Sequence, residues 1–275
     1  MTVTVTPLEG AFGAAIAGDS IATPLSDADF DAIHQAFLEH KVVALRNLTW
    51  DFDTMLDFGR RFGRLVPHVL DQYHHPNTSE VSIIASNTSD KASRPTSAPA
   101  GAYWHSDLSY DANPADAIML YALEVPSKGG DTEFCDTVAA YDALDDDMKA
   151  RIDGLNAIHR YGHRGGYAVV DLNETQSAAH PDVIHPVVRR HRETARKSLF
   201  VSPGFTAAIE GMDTAESDAL LETLFSHLLE PRFRYRHKWR VGDLVCADNR
   251  STMHCAVADY TEPRRMWRMI VGGNG

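Results

Sequence analysis

Residues 103–110 read YWHSDLSY and set a histidine and an aspartate two positions apart among aromatic and small neighbours. If this stretch is a β-strand, alternate side chains leave on one face, and His105 and Asp107 both point into whatever the strand encloses. An imidazole nitrogen beside a carboxylate oxygen supplies two of the three donors of a 2-His-1-carboxylate triad, the arrangement that leaves positions open on iron(II). Alone the pattern is weak. A chain with 14 histidines and 38 acidic residues sets such pairs on its solvated surface by chance. The reading depends on an enclosing set of strands and on a third, distant ligand.

That ligand has a candidate in DNRSTMHCAVADY (248–260), a strand-like stretch close behind the β-rich GDLVCA (242–247), where His254 is well placed. Met253 and Cys255 flank it and read as core residues, because soft sulfur ligands would favour zinc or copper. His159, His163, His180, His185 and His191 lie in or beside the irregular stretch 160–197, where solvated loop positions are expected.

Enclosing strands are legible elsewhere. VVALRN (42–47) and SEVSIIAS (79–86) read as strands, and RFRYRHKW (232–239) alternates with Phe233, Tyr235, His237 and Trp239 on one face. Ser26 caps a helical DADFDAIHQAFLEH (27–40), a second helix is predicted over 50–63, and AAYDALDDDMKARI (139–152) and AESDALLETLFSHLL (215–229) are amphipathic helices. The polar, two-proline SNTSDKASRPTSAPAGA (86–102) reads as a mobile lid-like loop running into the opening motif. No linker or repeat divides residues 1–275, so the expectation is one α+β domain with a barrel or jelly-roll core and helices outside.

Composition narrows the class of function. A net charge of −12 argues against nucleic-acid binding, and the local basic stretches 189–197 and 232–240 read as a solvated loop and a strand with one polar face. No apolar run approaches a bilayer span, so no membrane partner is expected. MTVTVTPLEG (1–10) lacks the pattern of a secretory signal, and three cysteines without framework spacing suit a reducing, cytoplasmic setting.

Four ordered segments carry a resemblance: WHSDLSY (104–110), PSKGGDTEFCDTVAAYDAL (126–144), VGDLVCADNRSTMH (241–254) and RRMWRMIVGG (264–273). With GAAIAGDSI (13–21) and FGRRFGRL (58–65), they resemble the taurine and chlorophenoxyacetate dioxygenases, which use iron(II), 2-oxoglutarate and O2. The resemblance implies a double-stranded β-helix (jelly-roll) core with flanking helices. It implies that His105, Asp107 and His254 form the catalytic metal centre, and that the Thr132 hydroxyl and the Arg264 guanidinium meet the distal carboxylate of 2-oxoglutarate. Arg265 rivals Arg264, because the segment after His254 is one residue short of the family pattern; Arg264, Met266 and Arg268 would share a strand face.

The implied reaction gives succinate, CO2 and a hydroxylated substrate, with C–O, C–S or C–N cleavage where the new hydroxyl adjoins a heteroatom. Ascorbate is an expected support of turnover, and a homodimer or homotetramer an expected assembly. Asp107 argues against a halogenase, in which a small residue replaces the carboxylate. The alternatives are a zinc-dependent jelly-roll isomerase or hydrolase and a metal-stabilised binding protein, neither of which needs Thr132 and Arg264.

For the substrate, Arg268, His68 and Tyr103 are the candidates, with Tyr110, Phe200 and Phe205 as further lining. Unless Arg268 pairs with one of the chain's own carboxylates, it offers a second fork for a small organic anion such as an aryloxyalkanoate, alkyl sulfate or sulfonate. Gly101 stands where taurine-cleaving relatives carry an asparagine that meets the amine, which argues against taurine. Ala247 replaces a tryptophan common in the family, and Asp248 and Asn249 read as turn residues ahead of His254.

Overall fold

The computed structural model describes residues 3–17, 21, 24–68, 71–86, 101–163 and 180–273. In chain order its strands are β1 (Thr4–Pro7), β2 (Ala14–Ala17), β3 (Val42–Leu45), β4 (His74–His75), β5 (Thr78–Ser86), β6 (Ala117–Glu124), β7 (Thr132–Asp136) and β8 (Asn156–His159). There follow β9 (Val183–Pro186), β10 (Val188–Arg190), β11 (Lys197–Leu199), β12 (Thr206–Ile209), β13 (Arg234–His237), β14 (Leu244–Asp248), β15 (Thr252–Ala256) and β16 (Arg264–Val271). Among the described residues five α-helices accompany them: α1 (Asp27–His40), α2 (Phe52–Phe62), α3 (Thr137–Asp142), α4 (Asp146–Ile152) and α5 (Thr214–Leu228). None is long and apolar enough to cross a membrane.

Two sheets face each other. The larger runs β1-β2-β3-β14-β6-β16-β5-β4, antiparallel except for β2 against β3, and the smaller runs β13-β7-β15, antiparallel throughout. The side chains between them, including Ile118, Leu120, Phe134, Tyr235, Val245 and Met266, form one apolar layer. Alternation sends the other face of each strand outward. Met119, Cys246, Met269 and Val271 of the large sheet meet α1 and α2, while Cys135 and Met253 of the small sheet meet α5. The mixture of helices with a many-stranded antiparallel core agrees with the α+β expectation.

Local chemistry sets the boundaries. Ser26 accepts from the Asp29 amide at 3.2 Å and Asp51 from the Thr54 amide at 2.9 Å, so α1 and α2 begin where donors would otherwise be orphaned. The helix expected over 139–152 is two: Asp136 caps α3, and Asp145 accepts from the Met148 amide at 2.7 Å and starts α4 afresh. Aspartate competes with the backbone for donors, which outweighs the apolar periodicity there. In RFRYRHKW all four expected residues are buried and Tyr235 and Trp239 share the layer between the sheets, but Phe233 ends a 3-10 turn (Pro231–Phe233) and packs with α5 instead. Of the lid-like stretch 86–102, residues 87–100 lie outside the described residues.

One buried ion pair ties the two sheets together. Lys41, at the C-terminus of α1, places its Nζ 2.8 Å from the Asp136 carboxylate at the end of β7, and its carbonyl accepts from the Asp248 amide at 2.8 Å. Removing one partner leaves a buried charge uncompensated, which typically costs about 3–5 kcal/mol. Lys41→Met should therefore lower unfolding free energy in urea by several kcal/mol, and a companion Asp136→Asn, which keeps a capping oxygen, should recover part of the loss.

Candidate metal centre

His254 sits in the middle of β15, and His105 is laid against it as an isolated bridge. The His105 amide donates to the His254 carbonyl at 3.0 Å and the His254 amide to the His105 carbonyl at 2.8 Å. Residues that exchange both bonds face each other directly, so the two imidazoles come to a centroid distance of 4.2 Å.

Asp107 reaches the site by another route than strand alternation. The chain turns after His105, with Leu108 at φ +55°, so the expected i, i+2 pairing on a strand does not apply. The Asn249 amide holds Asp107 instead. Its Oδ1 accepts from the Asp107 amide at 2.8 Å, and its Nδ2 donates to the carbonyls of Asp107 and Ala115, each at 2.9 Å. Asn249 is thus a positioning residue where the sequence suggests only a turn, and what marks it is a buried amide whose partners lie over 100 residues away. The three buried side chains offer one donor atom each, all within 4.8 Å of one another.

The donors are in metal-binding form. His105 Nδ1 lies 2.7 Å from the Tyr103 carbonyl, which only accepts, so Nδ1 carries a hydrogen and Nε2 is the ring atom turned toward Asp107 Oδ1, at 3.6 Å. Burial, with His105 alongside, presses the His254 imidazole down to about 3, so it is neutral at pH 7. Burial raises the Asp107 carboxyl, but the surrounding cationic groups, Arg268 foremost, outweigh it and hold it at about 2. Neutral imidazoles and an ionised carboxylate are what a divalent cation needs. Asp107 Oδ2 accepts no hydrogen bond among the described residues and has Arg268 Nη1 at 3.5 Å.

A second polar site lies on the same inner surface. In the β15–β7 ladder His254 is opposite Phe134 and Ala256 opposite Thr132, so Thr132 and His254 share a face. Arg264 reaches the space between the sheets from β16, on the side of Met266, while Arg265 is half-buried on the side of Trp267, against the helices. The Arg264 guanidinium is buried, donates from Nε to the Gly130 carbonyl at 2.9 Å, and meets no carboxylate within ion-pair distance among the described residues. Burial lowers its pKa, with Tyr260 and Asp131 opposing. The Gly129-Gly130 turn makes this approach feasible. Gly130 has φ +71°, and a Cβ there would come within 2.8 Å of Pro126 and 3.3 Å of Arg264 Cδ.

Aromatic rings wall the His105 side. Tyr103 lies 4.7 Å from the His105 ring, Phe205 stands edge-on at 5.7 Å, and Tyr110 packs on Phe205 at 4.8 Å and on Tyr161 at 4.6 Å. His68 packs on Tyr73 at 4.9 Å and acts electrostatically on Asp107. Gly101, at φ +75°, is so close that a Cβ would lie 3.2 Å from His105 Cε1.

Other expectations fail. Phe200 stacks on His159 at 5.3 Å and lies under Arg189, away from this wall. His159, His185 and His191 are buried rather than solvated, because 160–197 carries β9 and β10 into the second apolar cluster. The amides of Glu193 and Thr194 donate to His191 Nδ1, which leaves Nε2–H to donate to Asp248 at 2.8 Å and brace the turn before β15. The basic stretch 189–197 does keep Arg190, Arg192 and Arg196 exposed, as a solvated loop would, with Arg192 paired to Asp116 and Arg196 to Asp142.

Residues 4–270 match the family described as "Taurine catabolism dioxygenase TauD, TfdA family". The chain is 35% identical over 265 residues to an alpha-ketoglutarate-dependent 2,4-dichlorophenoxyacetate dioxygenase of Cupriavidus pinatubonensis, covering 92% of each chain. It is 33% identical over 287 residues to an (S)-phenoxypropionate/alpha-ketoglutarate-dioxygenase of Sphingobium herbicidovorans, covering 98% of this chain and 95% of the relative. A solved structure of AAD-2 in complex with Mn(II) and N-oxalylglycine superposes with a TM-score of 0.84 at 29% identity, over 100% of this chain and 99% of that one.

The buried histidines give the protein an acid limit. Burial holds the His159 imidazole at about 3, against an ordinary value of 6.5. Below pH 6.5 the unfolded chain takes up a proton that the folded chain refuses, so this stability is present at pH 7 and drains as pH falls toward 3. Urea midpoints at pH 7.5 and 5 should differ less for His159→Gln than for the parent protein. An equal difference would remove His159 from the account.

Proposed function

The chain belongs to the TauD, TfdA family, and we propose that His105, Asp107 and His254 hold its iron(II) while Thr132 and Arg264 take the distal carboxylate of 2-oxoglutarate. It is a 2-oxoglutarate-dependent non-haem iron dioxygenase, an oxidoreductase that uses Fe(II), 2-oxoglutarate and O2. The observation that carries the assignment of residues is the buried Arg264 guanidinium, which meets no carboxylate within ion-pair distance among the described residues. Buried charges are paired, and a ligand carboxylate completes this one. A zinc isomerase or a binding protein has no use for such a fork. The facing sheets support reading residues 1–275 as one double-stranded β-helix domain. Three free cysteines support a reducing compartment.

Bound iron couples decarboxylation of 2-oxoglutarate to hydroxylation of a substrate C–H bond. The chain supplies position. His105 and His254 present neutral nitrogens, Asp107 one negative charge, and the triad leaves sites open for cosubstrate and oxygen. Arg264 and Thr132 fix the far end of 2-oxoglutarate. For the substrate, the reading is a small organic anion carrying an aromatic ring. Tyr103, Tyr110, Phe205 and Tyr161 give a ring-shaped, water-excluding wall, and Arg268, beside Asp107, offers its remaining donors to an acid. An aryloxyalkanoate fits, as the names of the two relatives suggest. Hydroxylation of its ether carbon gives a hemiacetal that collapses with C–O cleavage. Gly101 offers no amide for a taurine amine, and a side chain there would crowd His105.

His105→Ala, Asp107→Ala and His254→Ala should each abolish succinate formation and weaken iron binding while the fold survives; normal turnover in any one removes that residue from the centre. Losing a charge-assisted pair of hydrogen bonds from a buried site costs on the order of 2–4 kcal/mol. Arg264→Ala should accordingly raise the KM for 2-oxoglutarate roughly thirtyfold or more, with Arg265→Ala near the parent value. The reverse result reassigns the fork to Arg265. In a succinate-release panel, phenoxyalkanoates should turn over and taurine should not, and Arg268→Ala should raise KM for the acids. Efficient turnover of taurine contradicts the substrate reading.

A further inference from the structure

We infer that Trp239 is the positioning residue for the 2-oxoglutarate site, setting the direction of the Thr132 hydroxyl and backing the Arg264 guanidinium. The inference rests on the reading that Thr132 and Arg264 receive the distal carboxylate.

The chemistry of the indole makes the case. Its Nε1–H donates and cannot accept, and it lies 3.0 Å from Thr132 Oγ1, with both side chains buried. The threonine oxygen is therefore the acceptor in this bond. Its own hydrogen remains, and among the described residues it is donated to nothing. A hydroxyl without this constraint could turn its hydrogen to any nearby acceptor and face a carboxylate with its lone pairs. With Trp239 occupying one lone pair, the hydrogen is kept on the side away from the indole, as a donor available to an anion. Trp239 reaches Arg264 as well, whose guanidinium carbon lies 5.9 Å from the indole centroid, within the range of cation–π attraction. One side chain thus touches both groups that meet the carboxylate.

Trp239 is itself held in place. It follows Tyr235 and His237 on the inward alternation of β13, and the His237 ring packs edge-on against it at 4.5 Å. His237 in turn receives the Tyr235 hydroxyl contact at 2.8 Å and lies 3.3 Å from Asp243, which also pairs with Arg46. Burial lowers the His237 pKa, so a neutral ring, not a second cation, backs the indole. The wedge leaves the indole little freedom to tilt, and its N–H stays on Thr132.

Trp239→Phe keeps an aromatic ring and deletes the donor. With iron(II) loaded anaerobically, its dissociation constant for 2-oxoglutarate, read from the visible absorbance of the chelate, should rise about five- to tenfold, the size of one hydrogen bond. Iron binding without 2-oxoglutarate should be unchanged. In a double-mutant cycle, Trp239→Phe should add nothing to Thr132→Val, because the indole N–H acts through that hydroxyl. If Thr132→Val and Arg264→Ala leave 2-oxoglutarate affinity intact, the site assignment itself fails. If they weaken it while Trp239→Phe does not, or if the two effects simply add, the assignment stands and this inference is overturned. Should Trp239→Phe not fold, the zinc-loaded parent protein decides by proton NMR: the Trp239 indole N–H resonance should shift on adding 2-oxoglutarate, and an unmoved resonance contradicts the inference.

Discussion

Two backbone hydrogen bonds between His105 and His254 fix the spacing on which the rest of the site depends. In an antiparallel ladder a residue's amide and carbonyl point to the same side. Because His254 spends both on His105, its contact with β7 on the other side is a pair without mutual hydrogen bonds, the kind in which side chains come closest. Phe134 occupies that position, 6.1 Å from the imidazole, and limits its swing. The His254 ring is thus set from both flanks by main-chain geometry. Asp107 needs a further device because the chain has already left the ladder, and Asn249 supplies it from the turn preceding β15. His254 and the Asn249 clamp belong to one short segment, so the same β14–β15 turn positions two of the three donors.

The grouping of His105, Asp107 and His254 was legible in the sequence because they fall in short ordered motifs, and the mechanism of their convergence was not. H-x-D suggested strand alternation, whereas a positive φ at Leu108 and a side-chain clamp 142 residues away bring Asp107 in. That Arg264 and Met266 share a face, with Arg265 on the other, did follow from simple alternation along β16, whose pairing with β5 is regular there. The capped helix start at Ser26 was visible for a local reason too, whereas the second helix was legible only as a range and its Asp51 cap was not. Local periodicity misled where a competing local group intervened, as at Asp145, which split one expected helix in two. The buried histidines were illegible. Nothing near His159 or His191 in sequence announces that β8 and Asp248 will enclose them, and polar composition alone points to solvent.

Charge explains how an acidic chain can host anions. The molecule carries −12 overall, yet among the described residues its inner surface presents Arg264 and Arg268 beside the carboxylate of Asp107, with His254 kept neutral by burial. These groups sum to one positive charge, and Arg264 meets no carboxylate within ion-pair distance among the described residues. A divalent metal on the triad raises the excess to three. The dianion of 2-oxoglutarate returns it to one, spread over the metal and the two guanidinium groups. A monoanionic substrate then closes the balance, whereas a neutral one leaves a buried cation and a zwitterion such as taurine corrects nothing on net. Between buried side chains such as Phe205, Tyr110 and Met266, that balance weighs more than it would on the surface. Arg268 takes part in that balance from close range, its Nη1 3.5 Å from Asp107 Oδ2.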